Sequence, residues 1–193
     1  MSKVIRAHDS CWRAAFDAEA SRLRVLLAPA VPSIHHIGST AVPGIFAKPI
    51  IDMLVEAADM SSVDACSSAM EGAGYAARGE YGIPGRRYFS RKSVQVSVTG
   101  FHVHVYERGS SHIDRHLAFR DYLLARPDVA AVYTTLKRSL AGDGGVLSAD
   151  YQARKSDFVA SIERAAIEFA RKRQNGAALA ISAASSIRAS EAP

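Results

Sequence analysis

The segment His36-Ile37-Gly38-Ser39-Thr40-Ala41-Val42-Pro43-Gly44, followed by Ala47-Lys48-Pro49-Ile50-Ile51-Asp52-Met53-Leu54-Val55, decides the fold. Residues 33–37 read as a short strand, and residues 48–55 as a second, nearly all-apolar strand of the kind buried on both faces. Between them the Gly-Ser-Thr turn exposes backbone N–H groups and two hydroxyls, donors suited to the oxygens of a phosphate. Gly38 lets the backbone approach a ligand closely; the same tripeptide also serves as an ordinary turn and cap. Asp52 is the one charge inside the core of the second run. A carboxylate there is costly to bury unless it is paired, hydrogen-bonded or bound to a cation. A salt bridge to Lys or Arg is the structural alternative; Lys48 is too close along the strand to be that partner and can instead face a phosphate.

Outward from this core, Trp12, Phe16, Leu23 and Leu26 recur at helical spacing after Asp9 or Ser10. They predict an amphipathic helix that ends near Pro29 and packs on a sheet. Ser61-Ser62-Val63-Asp64 has the spacing of a capping box and opens a helix that stops at Gly72 or Gly74. Residues 79–85 are rich in turn formers, and residues 86–89 and 94–106 read as β structure. Alternation puts His102, His104 and Tyr106 on one face. From Ser110 the period becomes helical: one helix to about residue 125, a second after Pro127 to about 140, and a long charged third over 148–173. The expected class is α+β (mixed α/β), a mixed sheet packed by helices with a helical C-terminal half. Residues 1–175 are expected to form one domain, and the Ala- and Ser-rich residues 176–193 a disordered tail.

With 193 residues, 48% of them hydrophobic, the chain can bury a core without disulfides or a structural metal. Cys11 and Cys66 lack CxxC spacing and are expected to be core thiols. No apolar run approaches the ~20 residues of a membrane span, and the N-terminus has no signal-peptide core. The expectation is a cytoplasmic protein with no membrane partner. The net charge of +5 is spread along the chain and suits a small anionic ligand. No zinc-finger spacing, aromatic ribonucleoprotein motif or KH-type loop is present, so nucleic acid is not expected as a partner.

His102 and His104 occupy the strand expected to lie near Asp52. Asp with His favours a softer ion than magnesium, one imidazole can serve as a general base, and sheet-face histidines also simply pair with carboxylates. His35 and His36 point to opposite faces, so at most one can join them. Arg86 and Arg87 follow the Gly-rich loop and are split between strand faces, one toward an anionic substrate and the other toward solvent. Arg120 is suited to a phosphate or to pairing with an acid. Tyr133 and Lys137 are four apart on one helix face and can line the same cleft, or leave the lysine solvated.

Taken together, HIGSTAVPG…AKPIID, GRRYF, FHVHV and FRDYL…P…Y…LK resemble the GrpB family, over nearly the whole ordered chain. That family is grouped with the polymerase β-like nucleotidyltransferase fold, in which a Gly-Ser turn precedes a strand bearing metal-binding carboxylates. The resemblance implies that Gly38, Ser39 and Thr40 form the phosphate-side turn and that Asp52 is the first carboxylate. Transferases of that fold carry a second acid two residues on, facing the same side; here that place is Leu54. Glu56 is on the same face but roughly 13 Å from Asp52, too far to share a cation. The expected function is a nucleotidyltransferase-like enzyme acting on a nucleotide-like or other phosphate- or carboxylate-bearing small molecule. Asp52, His102 and His104 would be catalytic, with a divalent metal at Asp52 and His104. Lys48, Arg86, Arg87, Arg120, Tyr133 and Lys137 would join the turn in binding substrate. Two alternatives stand beside it: a non-catalytic anion- or nucleotide-binding module, linked by the resemblance to coenzyme A metabolism, and a biosynthetic condensation or cyclisation enzyme using histidine acid–base chemistry.

Overall fold

Strand β1 (Ser33–Ile37) lies at one edge of a five-stranded sheet whose other strands are β2 (Ile50–Ala57), β3 (Ala76–Ala77), β4 (Arg87–Lys92) and β5 (Gly100–Glu107). A computed structural model describes residues 4–30, 33–142, 145–147 and 151–190, the side chains of 152 and 176–190 excepted. The spatial order is β1-β2-β5-β4-β3, with β2 and β5 parallel and every other neighbouring pair antiparallel. The expected mixed sheet is therefore present. The parallel register sets Asp52 beside His102 and Leu54 beside His104.

Period-two alternation divides the side chains between two faces. Met53, Val55, Val103 and Val105 point to one face and are fully buried under Trp12, Phe16 and Leu23 of α1 (Cys11–Leu26). Burial of each such side chain stabilises the fold by roughly 2 kcal/mol. The opposite face carries Ile37, Leu54 and Tyr106, packed against Ile113 of α4 (Ser111–Ala125). A third cluster joins Val42 and Ile45, on the link between β1 and β2, to Leu123 of α4, Tyr133 of α5 (Pro127–Ser139) and Phe158 of α6 (Tyr151–Ser190). The C-terminal helices are thus held over the face that bears Asp52.

Local sequence explains most boundaries. Asp9, one of two expected caps, accepts the Cys11 amide at 2.9 Å, and Ser110 caps α4 by accepting from the His112 amide. Pro127 occupies the first position of α5, where its missing N–H is harmless. The capping box at Ser61 does not form. Asp59 accepts the Ser62 amide at 2.7 Å and starts α2 (Met60–Ala65), while Asp64 is drawn away to Arg87. The chain turns at Cys66 into α3 (Ser67–Gly72). The strand expected from Val94 begins only at Gly100, because β4 offers partners no further than that residue. In the connection, Ser97 accepts the Trp12 indole N–H at 2.9 Å, and Val94 and Val96 stand exposed. Cys11 is also exposed and Cys66 half-buried, both free thiols, so the expectation of two core thiols fails at Cys11. No described helix is long and apolar enough to cross a membrane. Helix α6 passes the expected end at Arg173; the expected disordered tail falls on residues whose side chains, and whose last three positions altogether, lie outside the described residues.

Glu19 is the buried charge that fastens α1 to the sheet. It is 5% exposed, accepts from Arg91 at 2.5 and 3.0 Å, and takes a further hydrogen bond from the Tyr75 hydroxyl. Removing one partner of such a pair leaves the other charge desolvated. Glu19→Gln is expected to lower stability by about 3 kcal/mol in urea denaturation. A loss below about 1 kcal/mol would show that the pair does not hold the helix.

Candidate functional site

The face of Asp52 and the overlying helices enclose a cleft of about 370 Å³. Its floor is the end of β1 and the middle of β2 and β5: Gly38, Ser39, Asp52, His102 and His104. Its roof is built by helical rows. Tyr133 and Lys137 are one row of α5, Arg115, His116 and Phe119 come from α4, and Tyr151, Lys155, Val159 and Glu163 form an i, i+4 row along α6.

Gly38 adopts φ +70°, and a Cβ there would come 2.5 Å from Asp52 Oδ2. The turn thus lies directly on the carboxylate. Asp52 Oδ1 is 3.2 Å from His102 Nδ1 and 3.8 Å from His104 Nε2, and its side chain keeps 31% of its area open to the cleft. Burial alone would raise the Asp52 carboxyl, but the two imidazoles beside it outweigh that and hold it well below the usual carboxylate range. His104 Nδ1 lies 3.4 Å from Arg86 Nη1. With Nδ1 accepting from the guanidinium, Nε2 carries the hydrogen toward Asp52. His102 uses Nδ1 toward Asp52, and its Nε2 has no hydrogen-bond partner among the described residues. That atom, on a cleft-lining side chain, is available for proton transfer with a ligand.

Lysine ammonium groups dominate the rest. Lys137 is 2% exposed, donates to Phe46 O at 3.0 Å, contacts Ser39 Oγ, and lies 4.2 Å from the centre of the Tyr133 ring. Burial, reinforced by Lys155, pushes its ammonium well below the usual range; among the described residues no carboxylate pairs with it. Lys48 sits 5.4 Å over the Tyr151 ring, and Lys155 has no hydrogen bond or ion pair among the described residues; burial lowers both. The Tyr133 phenol is raised by burial and stays protonated. Arg115 is neutralised by Glu163 at 2.5 Å. Among the described residues, three lysines therefore face two acids, Asp52, beside the histidines, and Glu163, held by Arg115.

The structure brings together Gly38, Ser39, Thr40, Lys48, Asp52, His102, His104, Tyr133 and Lys137 around this cleft. Thr40 is nonetheless spent internally: its buried hydroxyl donates to Ile50 O at 3.2 Å and meets His36 Nε2 at 3.0 Å. No helix follows the Gly-Ser-Thr turn, only a single 3-10 turn (Ser39–Ala41). Arg86 is buried under the 79–85 loop, donating to the carbonyls of Glu80 and Tyr81. Arg87 faces the other side and binds Asp64 at 2.5 and 2.7 Å. Arg120 holds Asp121 at 2.7 Å and the His36 carbonyl at 3.2 Å, outside the cleft. These three arginines are held by the fold rather than presented to a ligand. His35 pairs with Glu56 at 2.7 Å, and His36 stacks on Phe16 across the sheet, so neither joins Asp52.

Arg115, His116, Tyr151, Lys155 and Glu163 were not foreseen. The α6 spacing of four was visible, but nothing in one helix shows which sheet face its stripe will cover.

The fold itself defines a class. It is a nucleotidyltransferase-like domain: a cytoplasmic RNA terminal U-transferase superposes with a TM-score of 0.51 at 12% identity, over 68% of this chain and 41% of its own, a likeness of fold alone. The chain belongs to the GrpB family, whose sequence model, described as "GrpB protein", matches residues 3–165. The crystal structure of the conserved protein GrpB from Enterococcus faecalis is 36% identical, with a TM-score of 0.78 over 86% of this chain and 98% of that one. UPF0157 protein YqkA of Bacillus subtilis is 40% identical over 164 residues, 85% of this chain. The chain spans only 47% of that relative's length. UPF0157 protein SCO7215 of Streptomyces coelicolor is 36% identical over 156 residues, 80% of its length.

The donor set does not fit the paired magnesium ions that transferases of this fold use. Leu54, fully buried, occupies the place of the second acid, and both imidazoles are turned onto Asp52. Asp52 Oδ1 and His104 Nε2 face each other at 3.8 Å, and among the described residues no group of three or more His, Cys, Asp and Glu side chains is placed to hold a metal ion.

Two buried histidines make stability depend on pH. Burial lowers His36 to about 4 and His116 to about 3. In the unfolded chain both return to roughly 6.5. As pH falls below that value, the unfolded state takes up protons that the folded state refuses, so stability falls with pH. Each histidine is expected to remove about 2 to 3 kcal/mol by pH 4. Urea titrations from pH 7 to 4 check this; a flat profile down to pH 4.5 would contradict it.

Proposed function

We propose that the cleft binds a small phosphate- or carboxylate-bearing molecule, nucleotide-like ligands included, and that the chain is an enzyme acting on it by proton transfer through His102 and Asp52. The observation that carries this reading is the convergence of Lys48, Lys137 and Lys155, none paired with a carboxylate among the described residues, on one cleft of about 370 Å³. The desolvated ammonium groups of Lys48 and Lys155 favour a ligand that brings negative charge, and Lys137 adds N–H donors to the same wall. The enclosed volume suits a small molecule. His102, oriented by Asp52 and open at Nε2, supports acid–base chemistry in place of two-metal phosphoryl transfer. Leu54 at the second acid's position favours one other reading, a module that binds the anion without turning it over.

Calorimetric titration with pyrophosphate, followed by nucleotides, coenzyme A precursors and amino acids, tests the first part. Lys155→Ala is expected to weaken pyrophosphate binding about tenfold, the effect of about 1.4 kcal/mol. An unchanged Kd would overturn the anionic reading. For the second part, Asp52→Asn nearly keeps the side chain's volume while removing its charge. A functional carboxylate predicts loss of turnover of any bound ligand with little change in stability. Binding and turnover left intact, with stability lowered by about 3 kcal/mol, would make Asp52 a structural ion pair.

A further inference from the structure

Ser39 stands where the chain leaves β1 through the sharp bend at Gly38, and its Oγ lies in contact with the Nζ of Lys137. The Tyr133 hydroxyl lies against the same serine. All three side chains line the cleft. We propose that Ser39 is a nucleophile and Lys137 its general base, so that the cleft carries out acyl-group transfer on an activated carboxylic derivative with an anionic handle: an ester, a thioester or an acyl phosphate.

The hydrogen-bond economy around Lys137 supports the neutral amine that such a base needs. Phe46 O takes one N–H at 3.0 Å. Nζ also donates to Ser39 Oγ; in the neutral amine, rotation about the Cε–Nζ bond turns the lone pair to that same contact, with the Ser39 hydroxyl as the donor. Among the described residues no carboxylate pairs with this amine, and burial, with Lys155 and Lys48 nearby, disfavours its charge. A serine hydroxyl is a weak nucleophile alone and becomes a strong one when an adjacent base takes its proton.

The chemistry closes with the substrate and water. Lys137 Nζ accepts the Ser39 proton as Oγ attacks the carbonyl carbon, and the carbonyl π pair moves to oxygen. Lys48 and Lys155 supply the positive potential in which that oxyanion forms. When the pair returns, the bond to the leaving group breaks, and the departing alcohol, thiol or phosphate takes the proton from Nζ. Water, giving a proton to Nζ, then attacks the acyl-serine. The acid is released and Ser39 recovers its proton. An acceptor amine or alcohol in place of water makes the same sequence a transfer.

The proposal rests on the reading of this cleft as an anionic small-molecule site, and the test separates the two. The probe is an alkyl fluorophosphonate, which a nucleophilic serine displaces at phosphorus with loss of fluoride. Intact mass and peptide mapping should show one adduct per chain, on Ser39, absent in Ser39→Ala. Lys137→Arg keeps N–H donors at the site but is permanently protonated and cannot act as a base. It is expected to slow labelling about 100-fold while the circular dichroism and melting temperature stay near wild type. If the larger arginine unfolds the chain, Lys137→Met supplies the same comparison. Labelling of either variant at the wild-type rate would overturn the proposal. No adduct on Ser39, with pyrophosphate still bound, overturns it and leaves the anionic site in place. An adduct that depends on Lys137, without pyrophosphate binding, supports the nucleophile and overturns the anionic reading.

Discussion

Gly38 lies so close to Asp52 that a single added carbon would sit 2.5 Å from the carboxylate oxygen, and its φ of +70° is one that other residues avoid. This contact between the end of β1 and the middle of β2 is the constraint on which the cleft depends. It bends the chain away from the sheet at Ser39, and it fixes one side of Asp52 against backbone. The other carboxylate oxygen is left to His102 and His104, which the parallel register of β2 and β5 delivers from the neighbouring strand. One missing side chain therefore sets the positions of a hydroxyl, a carboxylate and two imidazoles.

The cations have a different origin. Lys137 and Lys155 come from helices that are held over the sheet by apolar contacts, Val42 and Ile45 against Tyr133, Leu123 and Phe158. Hydrophobic packing thus holds ammonium groups where solvation is poor. An ammonium taken from water loses its protonated form unless something stabilises it. Here the nearest aid is the Tyr133 ring, 4.2 Å from Lys137 Nζ, worth about 1 to 2 kcal/mol. That is modest against burial, which is why the cleft is electrostatically unsatisfied and able to reward an incoming anion.

The sequence revealed what local rules control. Strand β1, the core of β2, the helices after Ser110 and the single face shared by His102, His104 and Tyr106 all follow from periodicity and turn residues. The convergence of Asp52 with both histidines was legible too, because a lone acid in an apolar strand requires partners. What escaped depends on tertiary contact. Asp59 displaced the Ser61 capping box because Asp64 found Arg87 across the α1 side of the sheet. The three arginines expected at the ligand had carbonyls and acids to hold that no local pattern discloses. Lys155 and Glu163 sit on a helix whose placement is fixed by clusters formed from four separate parts of the chain.

Leu54 is the position at which fold and chemistry part. In the resemblance to the nucleotidyltransferase fold this residue should be an acid sharing cations with Asp52. Instead it is fully buried with Ile37, Tyr106 and Ile113, and it helps seal α4 to the sheet. Two carboxylates side by side repel each other and need cations between them. One carboxylate needs no cation beside it, and two imidazoles face it from β5 at 3.2 and 3.8 Å. Once the metal requirement is lifted, lysines facing the same space no longer compete with a divalent ion, and Lys48, Lys137 and Lys155 can occupy it together. The exchange of an acid for leucine is thus consistent with a cleft whose field is positive and whose reactive groups are a hydroxyl, an amine and an imidazole.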